Sequence, residues 1–188
     1  MTASLTSLRE TLLDELRPGL SPAVLGQVAP LAQILANAGR IFCHGVGREG
    51  LMMRALAMRL FHLGCDVHVV GDMTAPPVAG GDVLFISAGP GHFATIAALQ
   101  PIAKNADAQV VCITAEPDGE VPQAADHVVH IPAQTMAADQ GPQVKSILPM
   151  GSLYEALMFL FFELLVLALR DQMEVSSAAM RANHTNLE

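Results

Sequence analysis

The sequence predicts an α/β fold in which a parallel sheet is covered by helices on both faces. Three observations carry that prediction. Short apolar runs of strand length alternate with stretches at helical spacing. The first three of these runs lead into glycines, Gly45, Gly71 and Gly89. Hydrophobic residues make up 52% of the 188 residues and charged residues only 15%, a balance suited to strands buried on both sides. The length fits one domain over residues 1–188, with little room for a second.

The chain opens on a helical pair over residues 1–38. Leu5, Leu8, Leu12, Leu13 and Leu16 recur at helical spacing over 5–17, and Val24, Val28, Leu31, Ile34 and Leu35 over 21–38. Pro18 and Pro22 separate the two, with Ser21 placed as N-cap and Pro22 at the first helical position. The sheet and its crossover helices occupy 40–131. Residues 40–44 form a buried strand ending at Gly45, and 50–63 return to helical spacing with Gly64 as the stop. A second strand covers 66–70, followed by Gly71 and a proline-bearing loop. A third, Val83 to Ser87, runs into Gly89-Pro90-Gly91 and a helix through about residue 103. Residues 110–114 and 127–131 are further strands, with a short helical piece around 119–125 between them. The stretch 132–150 is polar, Gln-rich and proline-bearing, a loop long enough to carry function or to be ordered by a partner. A long helix at 151–173 is apolar nearly all round, from Leu153 through Phe159, Leu160, Phe161 and Phe162 to Leu167. Such a helix is buried on every face, which in a chain this small implies a second subunit. The tail is 174–188.

Composition excludes several partners. Ten Lys+Arg against eighteen Asp+Glu give a formal net charge of −8. No basic stripe exists to neutralise phosphates, so neither nucleic acid nor an anionic membrane is an expected partner. Cys43, Cys65 and Cys112 are odd in number, lack paired spacing and read as reduced core residues. Met1-Thr2-Ala3-Ser4-Leu5 lacks the basic start and apolar run of a secretory signal. The longest apolar stretch, Ala156 to Leu169, is broken by Glu163 and falls short of a bilayer span, so a cytoplasmic protein is expected. His44, His62, His68, His127 and His130 show no metal-ligand spacing with carboxylates, so no metal and no cofactor are expected. Met52, Met53 and Met58 read as packing residues.

Two glycine loops carry the chemistry. Gly45-Val46-Gly47-Arg48-Glu49-Gly50 lies between a strand and a helix and matches G-x-G-x-x-G, with Asp72 roughly 20 residues on, where a ribose-binding acid belongs. A dinucleotide is one reading, although the length leaves little for a substrate domain; a tight strand-to-helix turn is the plainer one. Ser87-Ala88-Gly89-Pro90-Gly91-His92 repeats the plan after the third strand. Two helix N-termini beside one crevice form an anion site, which favours a small phosphorylated or carboxylated ligand over a dinucleotide. The expected ligand contacts are Gly45, Gly47, Arg48 and Glu49 from the first loop, and Ser87, Ala88, Gly89, Gly91 and His92 from the second. Arg48 is the only cation at either loop.

Gly45-Val46-Gly47-Arg48, then Ala57-Met58-Arg59-Leu60-Phe61-His62-Leu63-Gly64, then Val69-Val70-Gly71-Asp72 resemble the sugar isomerase (SIS) domain family. Lys145-Ser146-Ile147-Leu148-Pro149-Met150-Gly151-Ser152-Leu153-Tyr154-Glu155 is similar to the K-S-I-Q-P-M-G-S-L-F-E segment of its 6-phospho-3-hexuloisomerase branch. His184-Thr185-Asn186-Leu187-Glu188 is similar to that branch's terminal H-A-N-L-E. The likeness runs from about residue 20 to the last residue. It implies a three-layer α/β/α sandwich on a five-stranded parallel sheet, a sugar or sugar phosphate at the glycine loops, and a homo-oligomer, either a tetramer or a dimer of dimers. It also implies aldose–ketose isomerisation with Glu155 as base, Ser152 as a substrate contact, and His184 on a tail that reaches the active site across a subunit boundary.

The chemistry suits those residues. Isomerisation removes a proton beside a carbonyl and returns it one carbon away through an enediol. A carboxylate at the start of a very apolar helix gains basicity from desolvation, and an imidazole donates and accepts near neutral pH. The plainer readings are a first-turn acid complementing the helix dipole for Glu155 and a frayed terminal residue for His184.

Departures from the family pattern concentrate at the anion site. Ala88, Pro90 and Phe93 stand where the family's S-G-S-G-E-T loop has hydroxyl residues, and His92 stands at its glutamate. Glu49 replaces the serine of G-R-S, Leu148 and Ala156 replace two glutamines, and Pro90 also removes an N–H donor. Ser87, Thr95, His92 and Arg48 remain to contact an anion. These changes leave two alternatives open: a ligand that is no longer a phosphate ester, or a non-catalytic carbohydrate-binding or regulatory module.

Overall fold

What positions the site is a reversal in the order of the strands. The structure, a computed structural model, describes residues 4–187; Met1, Thr2, Ala3 and Glu188, the last residue of the tail motif, lie outside them. Helix α1 spans Leu5–Leu16, its first turn capped by Ser4 Oγ, which accepts the Ser7 N–H at 3.2 Å. The second predicted helix is not continuous. It divides into α2 (Pro22–Leu25) and α3 (Val28–Ala36), with a 64° bend across the break. Pro30 supplies the reason: its ring has no N–H to donate and crowds the carbonyl four residues back, at Gly26. Ser21 and Pro22 take the expected N-cap and first helical positions, although the serine side chain makes no capping bond.

The strands are β1 (Ile41–His44), β2 (Val67–Val69), β3 (Val83–Ser87), β4 (Gln109–Thr114) and β5 (His127–His130). They form one parallel sheet in the order β2-β1-β3-β4-β5. The remaining helices are α4 (Gly47–His62), α5 (Ala94–Asn105), α6 (Glu120–Gln123), α7 (Ser152–Gln172) and α8 (Ser177–Ala182). Strand side chains alternate between two cores. Ile41, Cys43, Val83, Phe85, Val111 and Ile113 pack with α3, α4 and α7. Phe42, Leu84, Ile86, Val110 and Cys112 pack with α5 and α6 on the other face. The expected α/β/α sandwich is therefore the observed one. Burial pushes the Cys43 and Cys112 thiols up to about 12, which makes them packing groups rather than nucleophiles.

After β1 the chain moves to one side of the sheet, to β2, and then crosses to β3 on the other. The carboxyl ends of β1 and β3 therefore adjoin while the connections leaving them diverge, which opens a crevice between. Both glycine loops lie at that switch point.

Helix α7 corrects one expectation. At 21 residues it is long and apolar enough to cross a membrane, so length gives no argument against a span; its packing does. Leu157, Phe161, Leu165 and Leu169 are fully buried against the rest of the fold, and Phe162 meets Phe85 of the sheet edge-on at 6.0 Å. The helix is not buried all round within one chain either, because Phe159, Leu160, Leu164 and Leu167 remain exposed. The loop 132–150 is ordered by its own chain through two short 3-10 turns. Gln134 Oε1 accepts the N–H groups of Lys145 (2.6 Å) and Ser146 (3.2 Å). Glu15 of α1 accepts the Ser146 hydroxyl at 2.6 Å and the Ile147 N–H at 2.9 Å.

Candidate active site

At the switch point a cavity of about 340 Å³ opens between the two glycine loops, the loop at 135–136 and the start of α7. Its polar lining comes from Arg48, Glu49, Thr135, Tyr154 and Glu155, and Phe93 supplies an apolar wall. Helix α4 begins at Gly47, three residues before the apolar spacing signals a helix, so Arg48 and Glu49 stand in its first turn. Close packing explains the third glycine of the G-x-G-x-x-G match: a Cβ on Gly50 would lie 2.5 Å from the Gly45 carbonyl oxygen. Asp72 is held by Arg54 at 3.4 Å and does not line the cavity. The dinucleotide reading loses its ribose-binding acid.

The two carboxylates of the cavity differ in their partners. Glu155 Oε2 lies 2.6 Å from Arg48 Nε, but the guanidinium N–H is not aimed at it, and among the described residues the buried oxygen has no aligned hydrogen-bond donor. Burial raises the Glu155 pKa and the Arg48 charge opposes the rise. Glu49 is saturated by comparison. Its Oε2 accepts the Ser87 hydroxyl at 2.6 Å and the Gly89 N–H at 2.9 Å. Burial raises the Glu49 pKa, those two hydrogen bonds oppose it, and the charge of Glu155 adds to it. Tyr154 is fully buried, with its hydroxyl 3.4 Å from Ser87 Oγ.

Of the expected contacts, Gly47, Arg48, Glu49 and Glu155 line the cavity. Ser87 and Gly89 stand one layer behind it, tied to Glu49, and Gly45 backs the first turn of α4. Ala88 is fully buried, and Gly91 packs against Gly119. His92 is turned away, its Nδ1 3.0 Å from Glu120 Oε2. Ser152 opens α7 beside the cavity without lining it. His184 is not brought to Glu155 within one chain. Its ring stacks on His62 at 5.1 Å between centroids, at the far end of α4 and roughly 22 Å along the helix from Gly47. The residues that sequence reasoning missed are Tyr154, Thr135 and Met136. Tyr154 was visible in the segment that carries Glu155, and the other two in the polar loop 132–150.

One cation, two carboxylates and a phenol in a partly closed cavity can move protons and orient hydroxyl and carbonyl oxygens. Among the described residues, no three His, Cys, Asp or Glu side chains converge so as to hold a metal ion.

Comparisons with known proteins give the family. A 3-hexulose-6-phosphate isomerase of Mycobacterium gastri is 39% identical over 162 residues, 86% of this chain and 80% of that relative. Another, from Bacillus subtilis (strain 168), is 32% identical over 177 residues, 94% of this chain and 95% of the relative. A crystal structure from Methanococcus jannaschii, described as inferring a 3-hexulose-6-phosphate isomerase function, superposes with a TM-score of 0.81 at 25% identity over 98% of both chains. The SIS domain family model matches residues 34–160, and with that match over most of the sheet and its site, the chain belongs to the SIS domain family.

Proposed function

We propose that this protein is an aldose–ketose isomerase that moves a carbonyl to the adjacent carbon of a sugar phosphate or a related sugar. The observation that carries the reading is Glu155, a carboxylate buried at the cavity wall whose Oε2 lies 2.6 Å from Arg48 Nε but, among the described residues, accepts no aligned hydrogen bond. A carboxylate stripped of water and of hydrogen-bond donors is a stronger base than one in solvent. Glu155 takes the proton from the hydroxyl-bearing carbon beside the carbonyl, and the carbonyl oxygen gains a proton to give the enediol. The neighbouring hydroxyl then gives up its proton as the new carbonyl forms, and Glu155 returns its proton to the former carbonyl carbon. Arg48 stabilises negative charge on the oxygens as the enediol forms. No cofactor enters this sequence of steps.

His184 is assigned the transfer between oxygens, acting from the tail of a neighbouring subunit, with Ser152 as a substrate contact. The exposed Phe159, Leu160, Leu164 and Leu167 of α7 support an assembly of several copies, read here as a dimer of dimers or other tetramer. Three free thiols fit the reducing cytoplasm.

Glu155→Gln tests the reading in a steady-state assay with 3-hexulose 6-phosphate and its unphosphorylated parent. The expected kcat falls about 10²- to 10⁴-fold, the range for loss of a general base. Retention of most of kcat overturns it and favours a non-catalytic carbohydrate-binding module. If His184 acts across the subunit boundary, mixed oligomers of Glu155→Gln and His184→Ala chains regain part of the activity that each lacks. No recovery in verified mixed oligomers contradicts that assignment.

A further inference from the structure

The loop between β3 and α5 has no N–H left for a ligand between residues 88 and 91. The Ala88 N–H donates to the Ile113 carbonyl at 3.0 Å, and the Gly91 N–H donates to the Ala88 carbonyl at 2.9 Å. Pro90 has no N–H. The Gly89 N–H and the Ser87 hydroxyl both donate to Glu49 Oε2, at 2.9 and 2.6 Å. The donors of residues 87–91 are therefore already committed, and the anion that Ser87 and Gly89 hold is part of the protein. Glu49 is seated firmly: its residue is 8% exposed, and its Oε1 lies so near Gly89 that a Cβ there would sit 2.7 Å away. A dianionic phosphate brought to this loop would meet a buried carboxylate seated on the Ser87 and Gly89 donors, and the N–H groups left to offset it are those from His92 into the first turn of α5. Arg48, the one cation lining the cavity among the described residues, already faces Glu155.

The geometry points to Glu49 as a specificity residue: its carboxylate takes the place of a ligand anion at the β3–α5 loop, so the substrate end seated there is neutral and carries hydroxyl groups. The inference deepens the isomerase reading by naming its substrate class, a sugar without a phosphate at that end. Glu49 Oε1 then accepts from a sugar hydroxyl, and phosphate esters are refused by like-charge repulsion.

Two titrations test this on the full chain, wild type beside Glu49→Ser and Glu49→Gln, with folding of each checked by circular dichroism. Glu49→Gln keeps the shape of the side chain, so it serves if the serine variant fails to fold. Calorimetry with inorganic phosphate should show at least about tenfold tighter binding to either variant than to wild type, the scale on which one nearby like charge acts. Fructose against fructose 6-phosphate should show wild type favouring the free sugar and Glu49→Ser favouring the ester. Wild-type binding of phosphate within twofold of both variants overturns the inference. So does absence of phosphate binding in both folded variants, or a wild-type preference for the ester. The phosphate titration needs no turnover, so loss of the isomerase reading leaves this test standing.

Discussion

The loops after β1 and β3 share one plan, strand, glycines and helix, yet contribute in opposite ways. The β1–α4 loop delivers side chains: Arg48 and Glu49 leave the first turn of α4 and line the cavity. The β3–α5 loop turns its polar groups inward. Thr114 Oγ1 donates to the Ala88 carbonyl at 2.7 Å, Gly89 and Ser87 donate to Glu49, and Phe93 and Pro90 give the cavity an apolar wall. The difference teaches that a glycine loop before a helix is an anion site only while its N–H groups are free. Here Glu49 of the first loop takes two donors of the second, the Ser87 hydroxyl and the Gly89 N–H.

The comparison breaks most readily at Arg48. Arg48→Ala removes the one cation that lines the cavity among the described residues, and kcat/KM should fall roughly tenfold to a hundredfold, somewhat less than loss of a buried oxyanion donor because the side chain is largely exposed. The same variant sharpens the pH argument. Burial raises the Glu155 pKa above the ordinary 4.5 and Arg48 holds the rise back. The proposed base works ionised, so activity is expected to be lost as pH falls through that raised value. Without the guanidinium the acid limb of the pH–rate profile should move to higher pH. An unmoved limb would separate Arg48 from Glu155.

Smaller effects come from the glycines themselves, read by thermal or denaturant unfolding. At Gly89 a Cβ would lie 2.6 Å from the Tyr154 ring, so Gly89→Ala should cost about 1–3 kcal/mol through overpacking. At Gly47 a Cβ meets nothing within 4 Å, and the left-handed φ of 56° is the only obstacle. Gly47→Ala should therefore cost about 1 kcal/mol. Equal costs at the two positions would mean that the second loop is not packed as tightly as its contacts require.

Much of this was legible before the fold was known. β3 runs from Val83 to Ser87 as its apolar run indicates, because a strand buried on both faces leaves a continuous hydrophobic signature. The glycine loops were visible from local pattern, and Glu155 from the resemblance of its segment to the family's. The break after Leu25 was not, because the apolar spacing of Val24, Val28 and Leu31 passes through Pro30 without registering its steric effect. Nor was the bond from Glu49 to Ser87 and Gly89, which joins residues about 40 apart in sequence through the parallel pairing of β1 and β3. His92 shows the converse. Its position at a helix start is local and correct, while its direction toward Glu120 depends on how α6 packs.

The account rests on Glu155 moving a carbon-bound proton, and isotope exchange tests that most directly. In deuterated water, wild type acting on 3-hexulose 6-phosphate or the unphosphorylated sugar should incorporate deuterium at the carbon beside the carbonyl, followed by proton NMR. Glu155→Gln should slow that incorporation about a hundredfold or more. Incorporation at the wild-type rate in Glu155→Gln would contradict the assignment of the base.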